Sequence, residues 1–214
     1  KERLATTVFA GDKTAPRDDI AYKAWKDCGI KDVFYLDKDH NWWALGGGVG
    51  PCGPDTEMFY DTGKPKCSET CSPACDCGKY IEIWNDVFMQ FVVEKEGESV
   101  KKLSKPNIDT GMGLERTVMI LNGSKTVYDC GILKQVIDFI NLKAKVKYEE
   151  NEISTRSYRI ITDHLRSSMF ILGDERGVVP SNVGQGYILR RFIRRAVNCA
   201  RNIGLDVKYF NDII

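Results

Sequence analysis

Four cysteines fall within eleven residues, at Cys67, Cys71, Cys75 and Cys77. Four thiolates on one short loop, turned by Pro73 and Gly78, are a donor set for a tetrahedral structural Zn²⁺. The spacing is not that of a standard zinc-finger pair, so free thiols and disulfides stay open beside zinc. Disulfides are the weakest of the three, because nothing in the sequence marks secretion. Cys28, Cys130 and Cys199 lie in apolar helical patterns and read as core, and Cys52 belongs to a glycine-rich loop. That loop contains Gly48-Val-Gly50-Pro-Cys-Gly53, a formal match to the dinucleotide fingerprint. In a Rossmann unit the pattern follows a strand and opens a helix. Here Pro51 and Pro54 interrupt it and the next residues, TEMFYD, look like a strand, so dinucleotide binding is rejected. Neither histidine looks like half of a catalytic dyad: His40 stands in a loop beside Trp42 and Trp43, and His164 follows Asp163 in a helical segment.

The elements that carry these residues can be read from periodicity. Leu4–Ala10, Val33–Leu36 and Tyr80–Val93 read as strands, and the last is central because both of its faces are partly apolar. Ile108–Asp109 ends a strand that runs into a helix from near Gly113 to Gly123. Ala15–Gly29 and Ile132–Lys145 read as helices, the first with Ile20, Ala24, Trp25 and Cys28 on its apolar face. His40–Gly53 is too rich in Gly and Pro for a regular element. Ser154 caps a helix to about Leu172, and Gly186–Ile203 is a long helix closed by Gly204. On the last helix Ile188, Phe192, Ile193, Ala196, Val197, Ala200 and Ile203 fill one half, and Arg190, Arg191, Arg194, Arg195 and Arg201 the other.

These elements give an α+β first part, residues 1–150, with an antiparallel sheet and flanking helices, and an all-helical second part, residues 151–214. KYEENE near residue 150 is the expected linker. The 214 residues carry 31 Lys+Arg against 30 Asp+Glu, which excludes a uniformly basic nucleic-acid binder. The charge is uneven, however: residues 154–214 hold ten Lys/Arg and five Asp/Glu. A basic third in an otherwise mildly acidic chain suggests a polyanion partner for that part alone. No stretch reaches the roughly 18 apolar residues of a membrane helix. A cytoplasmic protein without membrane contact is expected, and Lys1 suggests that the natural chain begins further upstream.

The blocks GPCGPDTEMFYDTG, YIEIWNDVFMQF, IDTGMGLER and YRIITDHLRSSMFILGDERGVVPSNVGQGYILRRFIRRAV closely resemble the alanyl-tRNA synthetases, in the family's order and over essentially the whole chain. The resemblance implies part of a class II synthetase fold, an incomplete antiparallel sheet with flanking helices followed by an all-helical domain. Its activity would be ligation of alanine to tRNA(Ala): alanine and ATP, with Mg²⁺, form alanyl-adenylate, and the alanyl group passes to the tRNA 3′ end. DTGMGLER is similar to the class II motif 3. By that match Arg116 binds ATP and Gly113 lets the adenine approach. Asp109 holds the α-ammonium of alanine, Asn85 meets its carboxylate side, Val87 lines the pocket, and Trp43 walls the methyl group with Gly111 leaving room for it. Without the resemblance, Asp109 reads as a helix N-cap and Arg116 as a surface ion pair with Glu115 or Glu82. The basic helix is similar to the family's acceptor-stem domain, which reads a G·U pair. There the loop Pro180–Gln185, with Asn182, Gly184 and Gln185, would approach the pair, and Arg190, Arg191, Arg194 and Arg195 would hold phosphates.

Several departures qualify these expectations. The family's motifs 1 and 2 would lie before Lys1, so this piece alone is expected to be inactive until the upstream part is added. Val49 stands where Thr is common and Gln185 where Arg is frequent, which alters a hydrogen-bonding position near the pocket and removes a charge from the tRNA loop. No part of the chain resembles an editing domain. A non-catalytic, synthetase-like tRNA-binding module is the alternative function.

Overall fold

In the computed structural model, residues 1–46 and 48–213 are described; Gly47 of the glycine-rich loop lies outside them. The chain forms two compact units, Lys1–Leu121 and Asn122–Ile214.

The first unit is built on a six-stranded sheet of order β2-β1-β4-β5-β6, with β3 paired to β4. Its strands are β1 (Leu4–Phe9), β2 (Asp32–Leu36), β3 (Trp42–Ala44), β4 (Gly50–Asp61), β5 (Tyr80–Val93) and β6 (Lys101–Met112). All pairs are antiparallel except β1–β2. That parallel pair corrects the expectation of an antiparallel sheet throughout. Helix α1 (Asp19–Asp27) is the crossover that a parallel pair requires, and Gly29, at φ 83°, turns the chain back toward β2.

Helix α1 is also shorter than its pattern suggests. Pro16 disfavours helical geometry at residue 15, and Asp18 accepts from the Ala21 N–H at 2.8 Å to start the helix later. Ile20 is 86% exposed, so the helix docks through buried Ala21 and through Trp25, whose indole N–H donates to Thr56 Oγ1 at 2.7 Å. The segment His40–Gly53 is not all loop, since it holds β3 and the start of β4. Strand pairing there depends on Gly53, where a Cβ would lie 2.0 Å from the Phe88 carbonyl oxygen. Strand β5 spans the expected residues and is flanked by β4 and β6. Strand β6 is longer than expected and includes Pro106. A sheet tolerates proline at an edge, and β6 is an edge among the described residues, exposed along nearly its whole length. Helix α2 (Leu114–Leu121) follows directly, tied to the sheet by the Gly113 N–H donating to the Ile83 carbonyl at 3.0 Å.

Helices α3 (Gly131–Lys143), α4 (Glu152–Gly173), α5 (Gly184–Asn202) and the short α6 (Phe210–Ile213) make up the second unit. Its core joins Ile137 and Ile140 of α3, Tyr158 and Ile161 of α4, and Ala196 and Ala200 of α5. The polar segment near residue 150 is the turn from α3 to α4 inside this unit. The N-cap of α4 is Asn151 rather than Ser154; Ser154 completes a capping box, each side chain bonding the other residue's backbone N–H. Helix α5 ends at Asn202, with Gly204 at φ 63°. Its arginine-free face is shifted from the expected one: Leu189 is fully buried and Ile188 is 44% exposed. Among the described residues, no helix is long and apolar enough to cross a membrane.

Candidate functional site

The sheet register brings together residues that stand far apart in the sequence. Across β5 and β6, Asn85 pairs with Gly111 and Val87 with Asp109. Across β4 and β5, Glu57 pairs with Asn85 and Asp55 with Val87, and Thr7 of β1 pairs with Glu57. Directly opposed residues share a face, as do positions two apart along a strand. Thr7, Glu57, Asn85 and Gly111 therefore form one row, and Asp55, Val87 and Asp109 the next. The four expected residues of β5 and β6 are cross-strand neighbours on one face.

A hydrogen-bond network anchors the β4 and β5 side of that face. The Asn85 amide N–H group donates to Asp55 Oδ2 and to Glu57 Oε1, each at 3.2 Å. Asn41, fully buried, donates to Asp55 Oδ1 at 3.0 Å and to Thr7 Oγ1 at 2.9 Å. Burial raises the Asp55 carboxyl above its ordinary value despite the bonds from Asn41 and Asn85. The Glu57 carboxyl is pushed up to about 8, first by loss of water and then by the charges of Asp55 and Glu82. With its N–H group so engaged, Asn85 keeps Oδ1 buried and without a partner among the described residues. That oxygen is an acceptor open to a cationic donor.

The β6 side is held differently. Asp109 is exposed, and its Oδ1 accepts from the Thr110 N–H at 2.9 Å. It lies inside β6 and five positions before α2, so it is not a helix cap. Arg116 on α2 donates through Nη1 to Glu82 Oε2 at 2.9 Å and to the Glu82 carbonyl at 3.0 Å. The ion pair expected on residue types alone therefore forms with Glu82. Gly113 lets the Arg116 side chain fold back, since a Cβ there would stand 3.3 Å from Arg116 Cδ. Trp43 is half-buried on β3 opposite Gly53. Its neighbour Trp42 packs into the core against Phe9 and Phe91.

The insertion between β4 and β5 carries the thiol cluster. The sulfurs of Cys67, Cys71 and Cys75 lie within 4.8 Å of one another, and Cys77 Sγ is 3.8 Å from Cys71 Sγ. These donors could hold a metal ion. Hydrogen bonds with the other thiols push Cys67 up to about 12, while backbone N–H groups at Ser72 and Lys79 hold Cys75 and Cys77 below the ordinary thiol value.

In the second unit, Asn182 and Gln185 are exposed, and Gly184, at φ 56°, opens α5. Arg191, Arg194 and Arg195 are exposed along α5, whereas Arg190 is half-buried with its guanidinium over the Tyr187 ring. The arginine face is thus narrower than the wheel suggests. His164 makes a structural contact, bonding Asp163 at 3.0 Å and stacking on Phe192. Sequence reasoning passed over Asn41, Asp55 and Glu57. The two acids of PDTE, two apart in a strand, were the available signal for a shared face.

The family described as "tRNA synthetases class II (A)" matches residues 1–214. The chain belongs to this family. It is 48% identical to an alanine–tRNA ligase of Treponema denticola over 98% of the chain and 35% of that protein. An alanine–tRNA ligase of Borrelia hermsii is 47% identical over the whole chain and 36% of its own length. One from Treponema pallidum is 45% identical over 99% of the chain and 35% of its own length. The chain spans about a third of the length of these curated relatives.

Proposed function

We propose that the chain is part of an enzyme that ligates alanine to tRNA(Ala), with the sheet face of the first unit as its alanine pocket. The register of β5 against β6 carries this reading, because it makes cross-strand neighbours of Asn85, Val87, Asp109 and Gly111. Asp109 accepts from the α-ammonium of alanine in a charge-assisted bond. The free Oδ1 of Asn85 suits the same ammonium better than the carboxylate. Val87 and Trp43 wall the methyl group, and Gly111 leaves it space.

Adenylate formation is an in-line attack of the alanine carboxylate on the α-phosphate of ATP, releasing pyrophosphate. It needs position and charge neutralisation rather than a general base. Arg116 leaves Glu82 to bind ATP phosphates, Mg²⁺ shares that charge, and Gly113 admits the adenine. The alanyl group then passes to the 3′ end of tRNA(Ala). Asn182, Gly184 and Gln185 approach the acceptor stem, and Arg191, Arg194 and Arg195, with Arg190 beside them, contact its phosphates. In domain terms, residues 1–150 act in aminoacylation and residues 151–214 begin the helical tRNA-recognition domain, in the cytoplasm.

The test is alanine-dependent ATP–pyrophosphate exchange, by this chain alone and joined to the upstream part of its protein. Exchange by the longer protein, lowered roughly 10–100-fold by Asp109→Asn, is the expected result. Silence in both, with tRNA(Ala) binding intact, would leave a tRNA-binding module in place of the enzyme.

A further inference from the structure

We propose that Cys67, Cys71, Cys75 and Cys77 hold one zinc ion in a closed shell of four thiolates, and that this ion clips the β4–β5 insertion shut. Tetrahedral zinc with Zn–S bonds of about 2.3 Å places its sulfurs ~3.8 Å apart. The Cys71–Cys77 pair stands at 3.8 Å, and the Cys67, Cys71 and Cys75 sulfurs all lie within 4.8 Å of one another. Cys77 adjoins that trio through Cys71, and it completes the shell by closing on the ion. Soft thiolates select zinc over harder cations, and a shell with no open position is structural rather than catalytic.

The surroundings suit the charge of such a site. Four thiolates and Zn²⁺ carry a net charge of two minus. The Lys64 ammonium lies over Gly78, where a Cβ would be 2.7 Å from it. Lys79 is largely buried in a bidentate pair with Asp61 at 3.0 and 2.9 Å.

The cluster also reaches the sheet. Cys71 is 4% exposed and packs with Ala5 of β1, Phe59 of β4 and Tyr80 of β5. Thr62 Oγ1 bonds the carbonyls of Gly78 and Lys79 at 2.9 and 3.0 Å, closing the base of the insertion. Three pairs beyond that base, the β4–β5 register shifts between Phe59 and Met58, and the pairs Met58–Trp84 and Glu57–Asn85 follow. The ion therefore fixes the insertion at the end of the β4–β5 hairpin where the chain turns from Asp61 to Tyr80. This holds whether or not the enzyme reading does.

The experiment is metal analysis of the whole 214-residue chain, followed by replacement with Co²⁺. One zinc per chain is expected. Cobalt should give thiolate charge-transfer bands and strong tetrahedral bands, and Cys77→Ser should weaken binding on the order of a hundredfold. Cys28→Ser, at an exposed cysteine outside the cluster, should change nothing. Amide exchange at 58–61 and 80–84 should slow on zinc addition. Failure to retain zinc with the cluster thiols reduced, or a disulfide within the cluster of the protein as isolated, would overturn the site. Unchanged binding in Cys77→Ser would overturn the four-thiolate shell. Zinc bound without any slowing of exchange would overturn the clip. Because none of these readouts uses ATP or alanine, a silent exchange assay leaves the metal site standing.

Discussion

Strands β5 and β6 lie side by side and each contributes two residues to one face, yet they hold those residues by different means. Asn85 on β5 is fixed by side chains: two carboxylates take its N–H group, and Asn41 orients one of them from below. Asp109 on β6 accepts from its own backbone neighbour, Thr110, on a strand exposed along nearly its whole length. Position on β5 is thus secured by a polar network in a low-dielectric setting, and on β6 by ladder register and by Thr110, whose hydroxyl bonds the Asn85 carbonyl and Asp86. A network resists displacement but makes its members interdependent. A register position costs little to keep and leaves its side chain free for a ligand.

The largest expected effect comes from disturbing what lies beneath β5. Gly53→Ala sets a methyl against the Phe88 carbonyl, and neither backbone can yield without parting β4 from β5. Chemical denaturation should show a loss of ~3 kcal/mol or a chain that fails to fold. Asn41→Ala comes next. It strips a buried donor from Asp55 and Thr7 and should cost about 2–3 kcal/mol by urea denaturation. An unchanged midpoint would mean that the network does not hold β5.

Glu57→Gln sharpens the comparison through pH. The Glu57 carboxyl rises from an ordinary 4.5 to about 8 in the fold, so the folded state binds its proton more tightly than the unfolded state. Its contribution is fully present below pH 4.5 and is lost as pH rises through about 8. Gln imitates the protonated form. The variant and parent should therefore match near pH 4.5, and by pH 8.5 the variant should be more stable by on the order of 1–2 kcal/mol, allowing for solvent screening. Parallel stability curves across that range would remove Glu57 from the network. The smallest effect on the fold belongs to β6: Asp109→Asn should shift stability by less than about 0.5 kcal/mol. In the longer protein the same change should lower alanine-dependent exchange by roughly 10–100-fold, the worth of one charge-assisted bond.

Much of this asymmetry could be read before the fold was known, and the exceptions have physical causes. Strand β5 announced itself by alternation, and α2, α3, α4 and α5 by helical spacing and glycine stops. Resemblance to the synthetases singled out Asn85, Val87, Asp109 and Gly111, and the register made them neighbours. The β1–β2 pairing was hidden because a parallel pair is set by the crossover and not by either strand's own pattern. Ile20 misled because an amphipathic wheel identifies an apolar stripe without saying what covers it, and α1 docks through Ala21 and Trp25 instead. The β3 strand was masked by glycine and proline, which usually break strands and here permit close approach. Asn41, Asp55 and Glu57 escaped because polar residues in a loop and a strand announce no function until the sheet sets them face to face.

Pro106 decides which part of the β6 edge another strand can pair with. An open strand edge is a template on which other chains aggregate, and among the described residues β6 is such an edge, twelve residues long. Proline breaks that template by withholding an N–H, and Lys101, Lys102 and Lys105 put like charges along the same half of the edge. A strand from another molecule could find an uninterrupted ladder only over residues 107–112, the stretch that carries Asp109 and Gly111. Among the described residues, the half of β6 without site residues is guarded by proline and lysine, and the half with Asp109 and Gly111 keeps an unbroken row of backbone donors and acceptors.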